Sequence, residues 1–171
     1  MSDLQARFES FGREFLTWLL YQAERGSGRI ELEGVGPVGV AFARRLVLDA
    51  GGVAPDHATI SADAPGDAEE ARTSLRLGKQ VASARLLIEV GERAFELSLQ
   101  ASTFVFTGVK LPTVTETGEH ERLAERLLLL EELEAIIDGF YVQFGRLRLD
   151  DAAWTEVRLA MHRWATRAQD A

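Results

Sequence analysis

Apolar side chains follow a helical period over the first 25 residues. Leu4, Phe8, Phe11, Phe15 and Trp18 recur every three or four positions, and Leu16, Leu19 and Leu20 widen the stripe in its second half. The spacing predicts a helix over Ser2 to Arg25, opened by a Ser2/Gln5 capping box and stopped by Gly26 and Gly28. Gly12 interrupts the pattern, where glycine costs about 1 kcal/mol relative to alanine. Close approach of another backbone would account for it, and Glu9 and Arg13 are spaced to pair across it.

The period then changes to two. Ile30 and Leu32 alternate with Glu31 and Glu33, and Val40, Phe42, Leu46 and Leu48 form a second alternating run. Two strands within Arg29 to Ala50 follow, with Gly34 to Gly39 as the turn between them. Val40, Ala43, Leu46 and Val47 also fit a period of 3.6, so a helix after the glycines stays open. A short strand is expected at His57 to Ala62, amid the turn residues of Gly51 to Gly66. A short helix is expected at Asp67 to Leu77, with Asp67 as cap, Glu70 at the capping-box position and Gly78 as stop.

Ala82, Ala84, Leu86, Ile88 and Val90 face one way and Ser83, Arg85 and Glu89 the other. Gly91-Glu92 makes a two-residue turn into a strand carrying Phe95, Leu97 and Leu99. A further strand runs from Thr103 to Lys110, and Pro112 closes it. The last third is helical: Leu123, Leu127, Leu130, Leu133, Ile137, Phe140, Phe144 and Leu147 keep three-and-four spacing. Asp150 or Asp151 caps a final helix with Trp154, Val157, Met161 and Trp164 on one face. The pattern predicts one α+β domain over 1–171, an antiparallel sheet packed against an N-terminal helix and a C-terminal helix pair. The stripe on the long helix is broad enough to serve both the sheet and a subunit interface.

Composition narrows the function classes. Hydrophobic residues make up 46% and charged residues 27% of 171 positions, ordinary values that exclude disordered and fibrous classes. No apolar run reaches the ~18–20 residues of a membrane helix, and Met-Ser-Asp opens no signal-peptide pattern. A cytoplasmic protein without a membrane partner is expected. There is no cysteine, which removes disulfides, thiol nucleophiles and thiolate metal sites. The net charge is −8; from Glu116 to Ala171 there are 12 acidic and 7 basic residues, a net of −5. Broad nucleic-acid affinity is disfavoured, although a local basic stripe survives that balance.

The string Gly34 to Gly39 is a formal G-x-G-x-x-G, with Asp63 at a tolerable distance for a ribose-binding acid. A nucleotide-binding enzyme built on it requires Val40 to Leu48 to be a helix. Against it, Ile30 to Glu33 alternates with glutamates, whereas the first strand of such a fold is buried on both faces. The next segments read as hairpins, and the chain is short for a dinucleotide domain plus two terminal helices. A glycine-rich hairpin turn is the plainer reading.

Glu121/Glu125 and Glu134/Asp138 sit four apart on the long helix, as metal-holding carboxylates do, but so do solvated ion pairs, and Arg122 and Arg126 are close by. The three histidines, His57, His120 and His162, are dispersed. No catalytic residue, metal or cofactor is expected. Among the bases, Arg72 and Arg76 share one helix face ahead of Lys79, and Arg44 and Arg45 sit mid-strand. That helix face could track phosphates; a solvated face balanced by Glu69 and Glu70 is the blander alternative.

Four blocks occur in an order that resembles the RdgC-like, recombination-associated proteins. They are Phe11 to Tyr21; Glu69 to Lys79 followed by Ala84-Arg85-Leu86; Val109 to Pro112; and Glu121-Arg122 through Phe144 on to Arg148, Trp154, Met161 and Trp164. The resemblance covers the C-terminal part of longer members. It implies a non-enzymatic protein that encloses double-stranded DNA without reading sequence and serves recombination at the nucleoid. It further implies a homodimer, or a protein partner that supplies the family's N-terminal part. The DNA contacts would be Arg72, Arg76, Lys79, Arg44, Arg45 and Lys110, which should then share one surface. The alternative is an interaction or scaffold subunit docking through its acidic helices, which requires a large exposed apolar patch.

Overall fold

The segments of period two pair into one antiparallel sheet. In the computed structural model, which describes residues 3–25, 27–50, 56–66 and 68–166, the strands are β1 (Arg29–Leu32), β2 (Gly36–Asp49), β3 (His57–Ile60), β4 (Gln80–Val90), β5 (Arg93–Gln100) and β6 (Phe106–Lys110). Their order is β1-β2-β4-β5-β6, and β3 pairs with β2 alongside β1. The helices are α1 (Asp3–Glu24), α2 (Glu69–Arg76), α3 (Glu119–Leu149) and α4 (Asp151–Thr166). Ser2, Gly26 and Asp67 lie outside the described residues, as do Gly51 to Pro55 and the side chains of Leu4, Gln5, Phe8 and Glu9. The α+β architecture is the one the hydrophobic periods predict.

Val40 to Leu48 is strand throughout. Leu46 to Asp49 pair with β3 on one side and with β4 on the other, so both edges of the backbone are satisfied in extended form. The helical alternative falls, and the dinucleotide reading of Gly34 to Gly39 falls with it. The glycine turn is also shorter than expected: Leu32 pairs with Gly36, and the Val35 amide donates to the Leu32 carbonyl at 3.2 Å. Gly34 and Gly36, at φ 80° and 91°, supply the left-handed conformations this tight reversal needs.

Other boundaries move for local reasons. β3 stops at Ile60, after which the Ala62 amide turns to the Arg44 carbonyl in the β2 bulge. β6 starts at Phe106, not Thr103, because Phe104 adopts φ 53° and its amide closes a turn on Gln100. α2 begins at Glu69 behind Ala68, and Gly78 at φ 86° ends it as expected. Asp150 is the cap of α4: its Oδ1 accepts the Ala152 and Ala153 amides at 3.1 and 3.0 Å.

All helices lie on one face of the sheet. Val40, Phe42, Leu46 and Leu48 of β2, Leu86 and Ile88 of β4, and Phe95, Leu97 and Leu99 of β5 point into the core. α1 delivers Phe15, Trp18 and Leu19 to it, and α3 delivers Ile137, Phe140 and Phe144. Phe144 sits 5.5 Å from Trp18 and 5.6 Å from Phe15, centroid to centroid. Gly12 is where α1 crosses the end of β5: a Cβ there would overlap the Ala101 carbonyl. That is the close backbone approach its position in the helix suggested.

Candidate functional site

α3 has 31 residues, about 46 Å at 1.5 Å per residue, and outruns the core it packs on. Its buried residues are Leu129, Leu133, Ile136, Ile137, Phe140 and Phe144. The three-and-four stripe of the sequence also includes Leu123, Leu127 and Leu130, which no described element covers. Leu123, Leu127 and Leu130 are 59%, 53% and 42% exposed, and Leu128, on another face, is 65% exposed. The sequence carried a sign of this. Leu127 to Leu130 are four consecutive leucines, which at 100° per residue sweep most of the helix circumference. A helix lying on one core can bury only part of such a run.

The start of α3 is pinned by a contact the sequence did not reveal. Glu125 turns back onto the preceding segment, where Oε2 accepts the Glu116 amide at 3.0 Å and Oε1 and Oε2 accept the Thr115 amide at 3.1 and 3.0 Å. The Thr115 hydroxyl adds a donor at 3.1 Å. These bonds, that from Glu116 first, hold the carboxyl below the ordinary carboxylate range. Glu132, two residues beyond Leu130, pairs with Arg93 of β5. A shallow hollow beside Leu123 is lined by Thr117, Glu119, His120, Arg122 and Arg126.

The six basic candidates are not brought together. Arg72 stacks on the Trp164 ring at 5.1 Å and its Nε is buried with no hydrogen-bond partner among the described residues, so it joins α2 to α4. Lys79 Nζ pairs with Asp56 at 2.7 Å. Arg76 is exposed and donates to Thr73 Oγ1 at 2.7 Å. Arg44 and Arg45 are exposed at the β2 bulge, Arg44 at φ 61°. Lys110 lies on β6 and pairs with Glu96 at 3.2 Å, beside the 2.6 Å Arg85–Glu96 contact. Arg85 first and then Lys110 hold the Glu96 carboxyl below its usual range. The Arg85–Glu96–Lys110 group faces away from the helices, whereas Arg72 and Arg76 stand among them.

A second concavity, about 540 Å³, opens between α1, α4 and the α2–β4 junction. Of its charged lining, Glu14 binds Arg148 Nε at 2.7 Å and Lys79 binds Asp56, while Arg158 and His162 also line it. Among the described residues no group of three or more His, Asp or Glu side chains is placed to hold a metal ion. No described helix is long and apolar enough to cross a membrane. No protein-family model, curated protein or solved structure matches this chain. The exposed leucines of α3 are the feature of the geometry that the chain's own packing leaves unused.

Proposed function

We propose that this chain is a non-enzymatic protein-interaction subunit that docks through the first half of α3. The observation that carries the reading is the unpartnered leucine stripe Leu123, Leu127 and Leu130 on a helix whose start is held in place by Glu125. Burying a leucine side chain stabilises by roughly 1.5–3 kcal/mol, so a stripe of half-exposed leucines is a source of association energy. The test is chemical cross-linking in the native cells, with the wild-type chain and a Leu123→Glu/Leu127→Glu variant. A discrete adduct that the variant loses is expected. An adduct that persists in the variant, or none in either, would overturn the reading.

The second reading is RdgC-like association with double-stranded DNA, favoured by the four ordered sequence blocks. Arg44, Arg45 and Arg76 are then the phosphate contacts, because they are exposed and make no ion pair among the described residues. A labelled duplex titrated at two salt concentrations against an Arg44/Arg45/Arg76 triple alanine variant tests it. Salt-sensitive binding weakened by the variant supports DNA contact. Absence of binding at low salt removes it.

A further inference from the structure

We infer that the projecting half of α3 pairs in parallel with the same segment of a second copy of this chain, an inference that rests on α3 being the docking helix. Leu123 and Leu127 are four residues apart, and Leu127 and Leu130 three. In a seven-residue repeat with apolar a and d positions, four-then-three admits one phase only: Leu123 at d, Leu127 at a, Leu130 at d. That phase assigns the flanks without further choice. Arg126 falls at g and Glu131 at the following e.

In a parallel two-stranded pair, g of one helix meets the following e of the other, and these contacts set partner and orientation. Arg126 of each copy therefore meets Glu131 of the other, twice by symmetry. The preceding g and e residues are Glu119 and Ala124, which bring no like charges together. An antiparallel pair with its leucines matched would instead set Arg126 against Arg126.

The surroundings leave this charge pair free for a partner. Arg126 and Glu131 are both exposed, and neither has a hydrogen bond or ion pair among the described residues. Neither has an opposite charge three or four residues away on its own helix. The neighbouring acids are already engaged, Glu125 by Thr115 and Glu116 and Glu132 by Arg93. His120 and Glu134 occupy the adjoining a positions, and the next d residue, Ile137, is buried in its own core. The seam is therefore short and ends where the core begins.

Sedimentation equilibrium of the full chain tests the pairing. Arg126→Glu alone and Glu131→Arg alone should each weaken the dimer about tenfold, as two exposed attractions become repulsions. An equimolar mixture of the two variants should restore it, because each then meets its complement. Orientation is read with Leu123→Cys. The chain has no cysteine of its own, so a disulfide-linked dimer on oxidation reports Leu123 beside Leu123, as only the parallel pair allows.

Three results would overturn the inference. One is a monomeric wild-type chain at 100 µM or so. Another is a mixture no tighter than either variant. The third is a disulfide that forms only between Leu123→Cys and Leu130→Cys chains. If the purified chain is monomeric while the cells show a leucine-dependent adduct with a different protein, the docking reading stands and self-pairing fails. If neither assembly forms, both fail.

Discussion

The two halves of α3 both carry apolar side chains at helical spacing and meet opposite fates. The C-terminal half sinks Leu133, Ile137, Phe140 and Phe144 against α1 and the sheet, while the N-terminal half holds Leu123, Leu127 and Leu130 in solvent. Both are helical, although the first half relies on leucine and the second on isoleucine and phenylalanine. What differs is whether another element lies opposite. Phe144 meets Phe15 and Trp18 of α1 and Gly139 meets Leu32 of β1, whereas the first half is held by Glu125, by the Glu132–Arg93 pair and by the buried Leu129. An apolar stripe is covered only where another element lies opposite, and among the described residues none covers Leu123 and Leu127.

The difference can be broken from the buried side first. Phe144→Ala should cost about 3–5 kcal/mol, the loss of a fully buried aromatic and the cavity it leaves, whereas Leu127→Ala should change unfolding by under ~0.5 kcal/mol. Urea denaturation of the two variants measures both. Equal losses would mean that the first half of α3 is packed after all.

Next in size is Gly12→Ala. Its Cβ has no room beside Ala101, so α1 must shift away from the end of β5, at a cost of about 1–3 kcal/mol. A variant as stable as wild type would show that α1 can slide without loosening the core.

Gly145→Ala should act the other way. A Cβ at this position in the buried half meets no atom within 4 Å, so removing the glycine's entropy cost should add about 0.5–1 kcal/mol. A fall in the denaturation midpoint would contradict the open space there.

The smallest effect concerns the tether of the exposed half. The Glu125 pKa is depressed in the fold, so its contribution is present above the ordinary glutamate value of ~4.3 and is lost as pH falls through the lower folded value. The amide proton resonances of Thr115 and Glu116 should report that loss in a pH titration from 6 to 3. Glu125→Gln should flatten their profile. Amide shifts indifferent to both pH and the substitution would mean the tether does not form in solution.

Particular residues show how far the sequence could be read. The alternation around Leu86 and Phe95 predicted the β4–β5 hairpin because its paired residues lie close in sequence, Ser83 and Gln100 being the farthest apart. Val40 to Leu48 fitted two periods at once, and only pairing with β3 and β4 decided between them. Gly12 was legible as a close approach, though not as an approach to Ala101. The basic residues were the least legible. Arg72 looked like a surface cation until α4 placed Trp164 under it, and Lys79 until Asp56 came within 2.7 Å.

By itself, then, the sequence determined the helices and strands other than Val40 to Leu48, because hydrophobic period and capping chemistry act over a few residues. It also determined the four-then-three leucine spacing and the charges beside it. Only the tertiary structure decided which leucines are covered and which cations are already paired. Burial and ion pairing belong to elements far apart in the chain, and no local pattern states which of them come together in space.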